Sequence, residues 1–217
     1  MADNYLEKRY EEVFGQGRRQ VKRIGHTVDG LLLKNRSCRG YMKSFTVTRE
    51  ILERIVGVNT KIPSGCNRQV LRFRLVTKDT GAEKVLANIK MGAALPELHL
   101  PFPGTEPEAF IIVCCEGLET KLVDIDLGIS LQSMLLKAVE MGLNGLIVGA
   151  FDKAALTEAF HLPLDPIAVL CIGKGAERIE LTPIAADESH AYYRKNTPQG
   201  MTHYVPKVRL EDLILLL

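Results

Sequence analysis

Apolar positions recur along this chain at two distinct periods. Leu71, Phe73 and Leu75 alternate with Arg72, Arg74 and Val76, the two-residue period of a half-exposed strand. Phe110–Cys115, Leu146–Val148 and Ile167–Ile172 are short, unbroken apolar runs that suit strands covered on both faces. A longer period governs the remainder. Thr48 is positioned to cap a helix whose buried stripe is Ile51, Leu52 and Ile55. From Leu122 to Gly142 apolar residues lie nearly all round a long helix, including Leu127, Ile129, Leu131, Met134, Leu135 and Val139. A helix with so little polar face needs cover on most sides, from a core or a second subunit. Gly142 ends it, and Asp152 caps a further helix beginning near Phe151.

The ends of the chain are less regular. Residues 4–34 read as helix in pieces, with Tyr5, Leu6, Tyr10, Val13 and Phe14 at helical spacing and breaks at Gly15 and Gly17. A second piece carries Arg18, Arg19, Lys22 and Arg23, a solvated basic face, and then Val28, Leu31, Leu32 and Leu33. The proline-rich stretch 95–107 reads as an irregular loop, either a lid or a surface crossing. Residues 176–206 read as irregular, with a short helix from about Leu210. Strands and helices mix without steady alternation, so the expectation is an α+β fold rather than a doubly wound sheet.

Composition narrows the function classes. With 46% hydrophobic and 25% charged residues the 217-residue chain has the makings of an ordinary core. Its charge, 28 basic against 26 acidic residues, is too balanced for a dedicated nucleic-acid binder. The longest apolar region is interrupted by Glu119, Lys121, Asp124, Asp126, Lys137 and Glu140, which argues against a bilayer span. The five cysteines (Cys38, Cys66, Cys114, Cys115, Cys171) form no spaced framework, the usage of reduced thiols in a cytoplasmic protein. No metal-ligand spacing, nucleophile elbow or complete glycine-rich phosphate loop is present; Gly173-Lys174-Gly175 lacks the third glycine. Chemistry is therefore expected from a bound cofactor that the protein grips and orients.

Two basic groupings suit a phosphate: Asn35-Arg36-Ser37-Cys38-Arg39-Gly40-Tyr41 and, far along the chain, Val205-Pro206-Lys207-Val208-Arg209-Leu210. Between them, Ile62-Pro63-Ser64-Gly65-Cys66-Asn67-Arg68-Gln69 offers small residues and carboxamides, as either a capped turn or the grip on a heterocycle edge. With Gly128-Ile129-Ser130-Leu131-Gln132-Ser133-Met134-Leu135-Leu136-Lys137-Ala138, Gly142-Leu143-Asn144, Gly149-Ala150-Phe151-Asp152, Tyr192-Tyr193-Arg194 and His203-Tyr204, these motifs in this order resemble the FMN-dependent nitroreductase-type flavoproteins over residues 28–217.

The resemblance implies an α+β nitroreductase-like fold: a central, mixed or mostly antiparallel sheet flanked by helices, in a homodimer with a long central interface helix. Residues 1–27 would form an N-terminal helical arm. Arg36, Ser37 and Arg39 would hold the FMN phosphate and ribityl chain, with Lys207 and Arg209 closing the cluster. Pro63, Ser64, Gly65, Asn67 and Gln69 would face the isoalloxazine edge of the other subunit's flavin. Backbone at Val148, Gly149 and Ala150 would lie beside the ring, and Gln132, Asn88 and Lys90 are further candidates. Asn35 departs from the family's usual arginine and removes one phosphate charge. The implied activity is NAD(P)H oxidation, with NADH or NADPH as donor, coupled to reduction of a nitroaromatic, quinone or similar acceptor. Alternatives on the same fold are a flavin reductase, a dehalogenase-like relative or a non-catalytic FMN-binding redox sensor.

Overall fold

The computed structural model describes residues 27–92, 98–198 and 200–215. Its helices are α1 (Val28–Lys34), α2 (Arg49–Val56), α3 (Ala82–Ala87), α4 (Lys121–Glu140), α5 (Lys153–Phe160) and α6 (Leu210–Leu213). Its strands are β1 (Leu71–Val76), β2 (Ala109–Cys115), β3 (Asn144–Val148), β4 (Asp165–Gly173), β5 (Arg178–Ile184), β6 (Tyr193–Thr197) and β7 (Gly200–Val208).

A four-stranded sheet in the order β1-β2-β4-β3, antiparallel throughout, organises the body. All seven residues of β2 are buried, which is why its sequence shows no polar alternation. The two-residue period nonetheless sorts its side chains. Phe110, Ile112 and Cys114 join Val169, Cys171, Leu146 and Val148 beneath Val85 of α3 and Leu156 and Phe160 of α5. Ile111 and Val113 join Leu170 and Ile172 beneath Leu52 and Ile55 of α2 and Leu131, Met134, Leu135 and Ala138 of α4. Each large side chain so covered contributes about 1.5–3 kcal/mol, making helices on both faces the main source of stability.

Local chemistry fixes the boundaries. The Thr120 hydroxyl accepts the Val123 N–H at 3.4 Å to start α4, and Gly142, at φ +77°, ends it in a conformation few side-chain-bearing residues adopt. Asp152 caps α5 by accepting the Ala155 N–H at 3.0 Å. Thr48 does stand at the N-terminus of α2, but its hydroxyl makes no backbone cap there. It hydrogen-bonds the Glu50 carboxylate instead and lowers that group's pKa.

One further expectation is corrected. Residues 176–206 are largely ordered: β5, β7 and β6 form a second sheet, with β5 and β7 parallel and β6 and β7 antiparallel. Their prolines conceal this. Pro183 lies on edge strand β5, and Pro206 lies beyond Tyr204, the last part of β7 paired with β6, so neither missing N–H disrupts a ladder on both sides. The main sheet is antiparallel, the second of the two expected forms, and the parallel pair belongs to the small sheet. α1 forms within the expected helical stretch; it has no buried residue, and Val28, Leu32 and Leu33 are exposed in the single chain. The helical expectations for residues 4–26, including the basic face at 18–23, lie outside the described residues, as does the part of the proline-rich loop at 93–97.

Candidate functional site

The segment following α1 runs along the outer edge of β3. Ser37 bridges Gly145 in parallel, and the Cys38 N–H donates to the Gly145 carbonyl at 3.0 Å. Gly145 has to be glycine: a Cβ there would lie 2.5 Å from Leu135 and 2.7 Å from the Cys171 carbonyl oxygen. The chain then crosses the end of β4, where Tyr41 bridges Gly175. This path puts Arg36, Ser37 and Arg39 at the end of β3 nearest Asn144. Asn35 is tied to α4 by donating to the Gln132 side-chain oxygen at 3.1 Å.

Arg36 and Lys207, at opposite ends of the sequence, line one cavity of about 450 Å³ with Asp29, Leu32, Leu33 and Leu181. Among the described residues neither cation has an ion-pair partner. Arg36 donates from Nη2 to the Leu32 carbonyl at 2.5 Å, while its buried Nε has no acceptor. Burial also lowers its pKa. An uncompensated, partly desolvated guanidinium beside an unpaired ammonium suits a phosphate dianion.

Other members of the phosphate set are placed differently. Ser37 is exposed. The Arg39 guanidinium donates to the Ser37 carbonyl at 3.3 Å and lies over the Tyr192 ring, 5.2 Å from its centroid. Arg209 heads α6 and pairs with Glu211 and Asp212 at 3.5 and 3.6 Å, so it brings no free charge to the Arg36–Lys207 cavity.

At the far end of β3, roughly 17 Å along a five-residue strand, the chain turns through Gly149 and Ala150. Both are exposed, and among the described residues neither N–H makes a backbone hydrogen bond. Val148 points into the core. The turn is held by a bridge between Ile89 and Phe151, with the Lys90 N–H donating to the Ala150 carbonyl at 2.8 Å and the Asp152 N–H to the Asn88 carbonyl at 2.9 Å. Asn88 and Lys90 are thus brought beside Gly149 and Ala150, although the Asn88 amide itself donates to the Lys84 carbonyl.

The turn at 63–69 stands elsewhere, against the first turns of α4. Pro63, Ser64 and Gln69 line a cavity of about 610 Å³ between α2 and β1, with Asp126 and Ser130 of α4 on its wall. Gly65 lies against Leu122, and Asn67 and Gln69 are exposed. Within one chain this cavity and the Arg36–Lys207 cavity share no residue.

The structure gathers the motif residues Tyr192, Arg194 and His203 with Glu177 and Phe102, which sequence reasoning did not single out, into a cluster joining the small sheet to the body. One Glu177 carboxylate oxygen accepts the Arg39 backbone N–H at 2.5 Å, and the other pairs with Arg194 of β6. Arg194 lies over Phe102, and His203 of β7 packs against Tyr192 with ring centroids 5.1 Å apart. Burial, with Arg194 nearby, lowers the His203 pKa. No spacing signal marks this cluster, because its members meet only when β6 and β7 pair. Burial pushes the Cys38 and Cys114 thiols up to about 11, leaving them protonated near neutral pH. Among the described residues no group of His, Cys, Asp or Glu could hold a metal ion, and no helix is long and apolar enough to cross a membrane.

Comparison with known proteins now adds to the geometry. Residues 118–174, which run from before α4 to the end of β4, match the model of the Nitroreductase family. Among solved structures, a nitroreductase family protein from Clostridium difficile is 28% identical, with 68% of this chain and 83% of that one covered at a TM-score of 0.53. A variant of an FMN- and NADPH-dependent nitroreductase from a Sphingopyxis species is 20% identical, with 69% and 88% covered and a TM-score of 0.57. A nitroreductase family protein from Streptococcus pneumoniae is 14% identical, with 71% and 93% covered and a TM-score of 0.58. No curated protein matches the chain.

Proposed function

We propose that this chain, a relative of the nitroreductases that carries their fold, is an FMN-dependent NAD(P)H oxidoreductase acting on nitroaromatic, quinone or related small acceptors. The observation that carries the reading is the convergence of Arg36 and Lys207 on one cavity at one end of β3, with exposed backbone N–H groups of Gly149 and Ala150 at the other. That spacing, from a cation pair to backbone amides along β3, suits an elongated molecule with a phosphate at one end and a heterocycle at the other.

Arg36 and Lys207 hold the phosphate, with Ser37 and Arg39 on the ribityl side. Gln132 lies on the exposed face of α4, where its side-chain oxygen accepts from Asn35, the residue before Arg36. The Gly149–Ala150 turn, braced by Asn88, Ile89 and Lys90, presents N–H donors to the ring edge. When bound, FMN supplies the redox chemistry, accepting a hydride from NADH or NADPH and passing electrons to the second substrate. The chain's own part is binding, orientation and stabilisation of negative charge on the ring by fixed donors.

A homodimer completes the site. The outward face of α4 carries Leu122, Ile125 and Gln132, and Ile125 is 51% exposed and Leu118 85% exposed in the single chain. Packing two such faces together buries them and brings Pro63, Ser64, Gly65, Asn67 and Gln69 of one subunit toward the other subunit's flavin. The balanced charge and reduced thiols suit a cytoplasmic enzyme without nucleic-acid partners.

The test is direct. The purified protein should be yellow, release FMN identified by mass, and oxidise NADH or NADPH when a nitroaromatic or quinone is added. A colourless protein that FMN does not reconstitute overturns the proposal. Flavin binding without turnover on any acceptor restricts it to a redox-sensing role.

A further inference from the structure

α4 buries two polar side chains one helical turn apart, and both reach out of the helix to fasten a loop. The Ser130 hydroxyl donates to the Asn59 side-chain oxygen at 2.5 Å, and the Asn59 amide donates to the Val56 carbonyl at 2.8 Å. Four residues earlier, an Asp126 oxygen accepts the Gly65 N–H at 2.8 Å. Asp126 is 6% exposed and, among the described residues, is paired with no cation. A buried carboxylate without a counter-charge is unfavourable unless its hydrogen bonds have a use.

The segment it fastens is strained. Cys66, Asn67 and Gln69 have φ values of 51°, 53° and 49°, three residues with side chains in the left-handed region within four positions. The Ser64 hydroxyl accepts the Gln69 N–H at 3.2 Å, and the Gln69 amide reaches back to the Asn67 carbonyl and side-chain oxygens at 3.2 and 3.0 Å. These bonds lie within the turn and shape it, but do not attach it to the body. Attachment comes at its two ends: the Gln69 carbonyl accepts from Arg72 Nη1 of β1 at 2.7 Å, and at the start a Cβ on Gly65 would fall 2.4–2.7 Å from Leu122 side-chain carbons while the Gly65 N–H meets Asp126. Left-handed residues persist where surrounding structure over-determines them, and such clusters mark positions where geometry matters more than stability.

We infer that Asp126 is a positioning residue for the flavin: by latching the Gly65 N–H to α4 it holds the strained turn at 64–69 in the shape that presents Ser64, Asn67 and Gln69 to the ring. The inference rests on the proposed FMN-dependent function, and it makes α4 the element that sets the turn's distance from the dimer face. Asp126 touches no cofactor atom in this scheme. Its effect is transmitted through one backbone N–H.

The test compares Asp126→Ala and Asp126→Asn in the full-length protein, alongside Gly65→Ala, which pushes the turn off Leu122 without altering the carboxylate. Three measurements are made: amide hydrogen exchange of the 60–70 segment in the flavin-free protein, FMN affinity by fluorescence quenching, and the reduction potential of bound FMN. Asp126→Ala should speed exchange in the segment and weaken FMN binding by about tenfold or more, the loss of one charge-assisted hydrogen bond, with a shifted potential. Asp126→Asn, which retains an oxygen acceptor but not its charge, should fall between wild type and Asp126→Ala in all three, whereas Gly65→Ala should resemble Asp126→Ala. Wild-type exchange in Asp126→Ala overturns the latch, even in a protein that binds no flavin. Faster exchange with unchanged FMN affinity and potential, in a protein whose wild type binds FMN, overturns the positioning role but leaves the proposed function standing. If Asp126→Ala fails to fold, Gly65→Ala with wild-type flavin affinity and potential overturns the inference.

Discussion

Gly145 carries a sharp quantitative expectation, because the obstruction to any side chain there includes backbone. The residue sits in β3 between Ile172 of β4 and the Ser37 segment, with α4 overhead. In Gly145→Ala the new methyl meets Leu135 Cδ2 at 2.5 Å, the Cys171 carbonyl oxygen at 2.7 Å and Ile172 Cδ1 at 3.2 Å. Leu135 and Ile172 belong to the filled core between sheet and α4, and the carbonyl moves only if β4 moves. Overpacking of this kind typically costs 1–3 kcal/mol, and the fixed carbonyl puts this site at about 3 kcal/mol. At roughly 2–4 °C per kcal/mol for a chain of this size, the melting temperature should fall by roughly 6–12 °C. The control is Gly57→Ala, where φ is −56° and nothing lies within 4 Å of the added Cβ. That change should be neutral or stabilise by about 0.4–1 kcal/mol. Circular dichroism melts and urea titrations on both variants decide the matter. A Gly145→Ala protein within about 2 °C of wild type, a shift equivalent to at most about 1 kcal/mol, would show that β3 and α4 are not packed as described.

Other consequences are equally open to measurement. Arg36→Ala and Lys207→Ala should each weaken FMN binding by roughly 10- to 150-fold, the range for hydrogen bonds to charged groups, yet leave riboflavin binding nearly unchanged; equal losses for both flavins would refute a phosphate role. The lowered His203 pKa means that the fold favours the neutral ring. Stability from this group is therefore full above its unfolded value of about 6.5 and is lost as pH falls from there through the lower folded value. Urea midpoints from about pH 7.5 to about 5.5 should drop less in His203→Asn than in wild type, and parallel curves would count against the assignment. Ile125→Lys should convert a wild-type dimer to a monomer by light scattering and reduce flavin occupancy; a wild-type monomer with full FMN occupancy would remove the shared site.

What the sequence determined was whatever depends on periodicity and local stereochemistry. Unbroken apolar runs identified β2 and β4, which are buried along almost their whole length, and also β3, although Ile147 of that edge strand is exposed in the single chain. Gly142 and Asp152 bounded their helices because a left-handed stop and a carboxylate cap act on their own backbone. The order of the basic and carboxamide motifs carried a resemblance to flavoproteins, and it is that resemblance which implies a phosphorylated heterocycle. Tertiary structure alone decided which of those motifs meet. It joined Arg36 to Lys207, whereas Arg209 pairs locally with Glu211 and Asp212 at the start of α6. It placed Asn88 and Lys90 against Gly149 and Ala150 through a single bridge. It also made strands of a proline-bearing stretch, since a missing N–H is harmless on an edge and the pairing partner of β5 lies more than a hairpin away. Asp126, which in sequence merely interrupts an apolar helix, acquired meaning from a contact with a turn sixty-one residues distant. Side-chain spacing reports the face a residue occupies; only the path of the remaining chain determines what lies opposite that face.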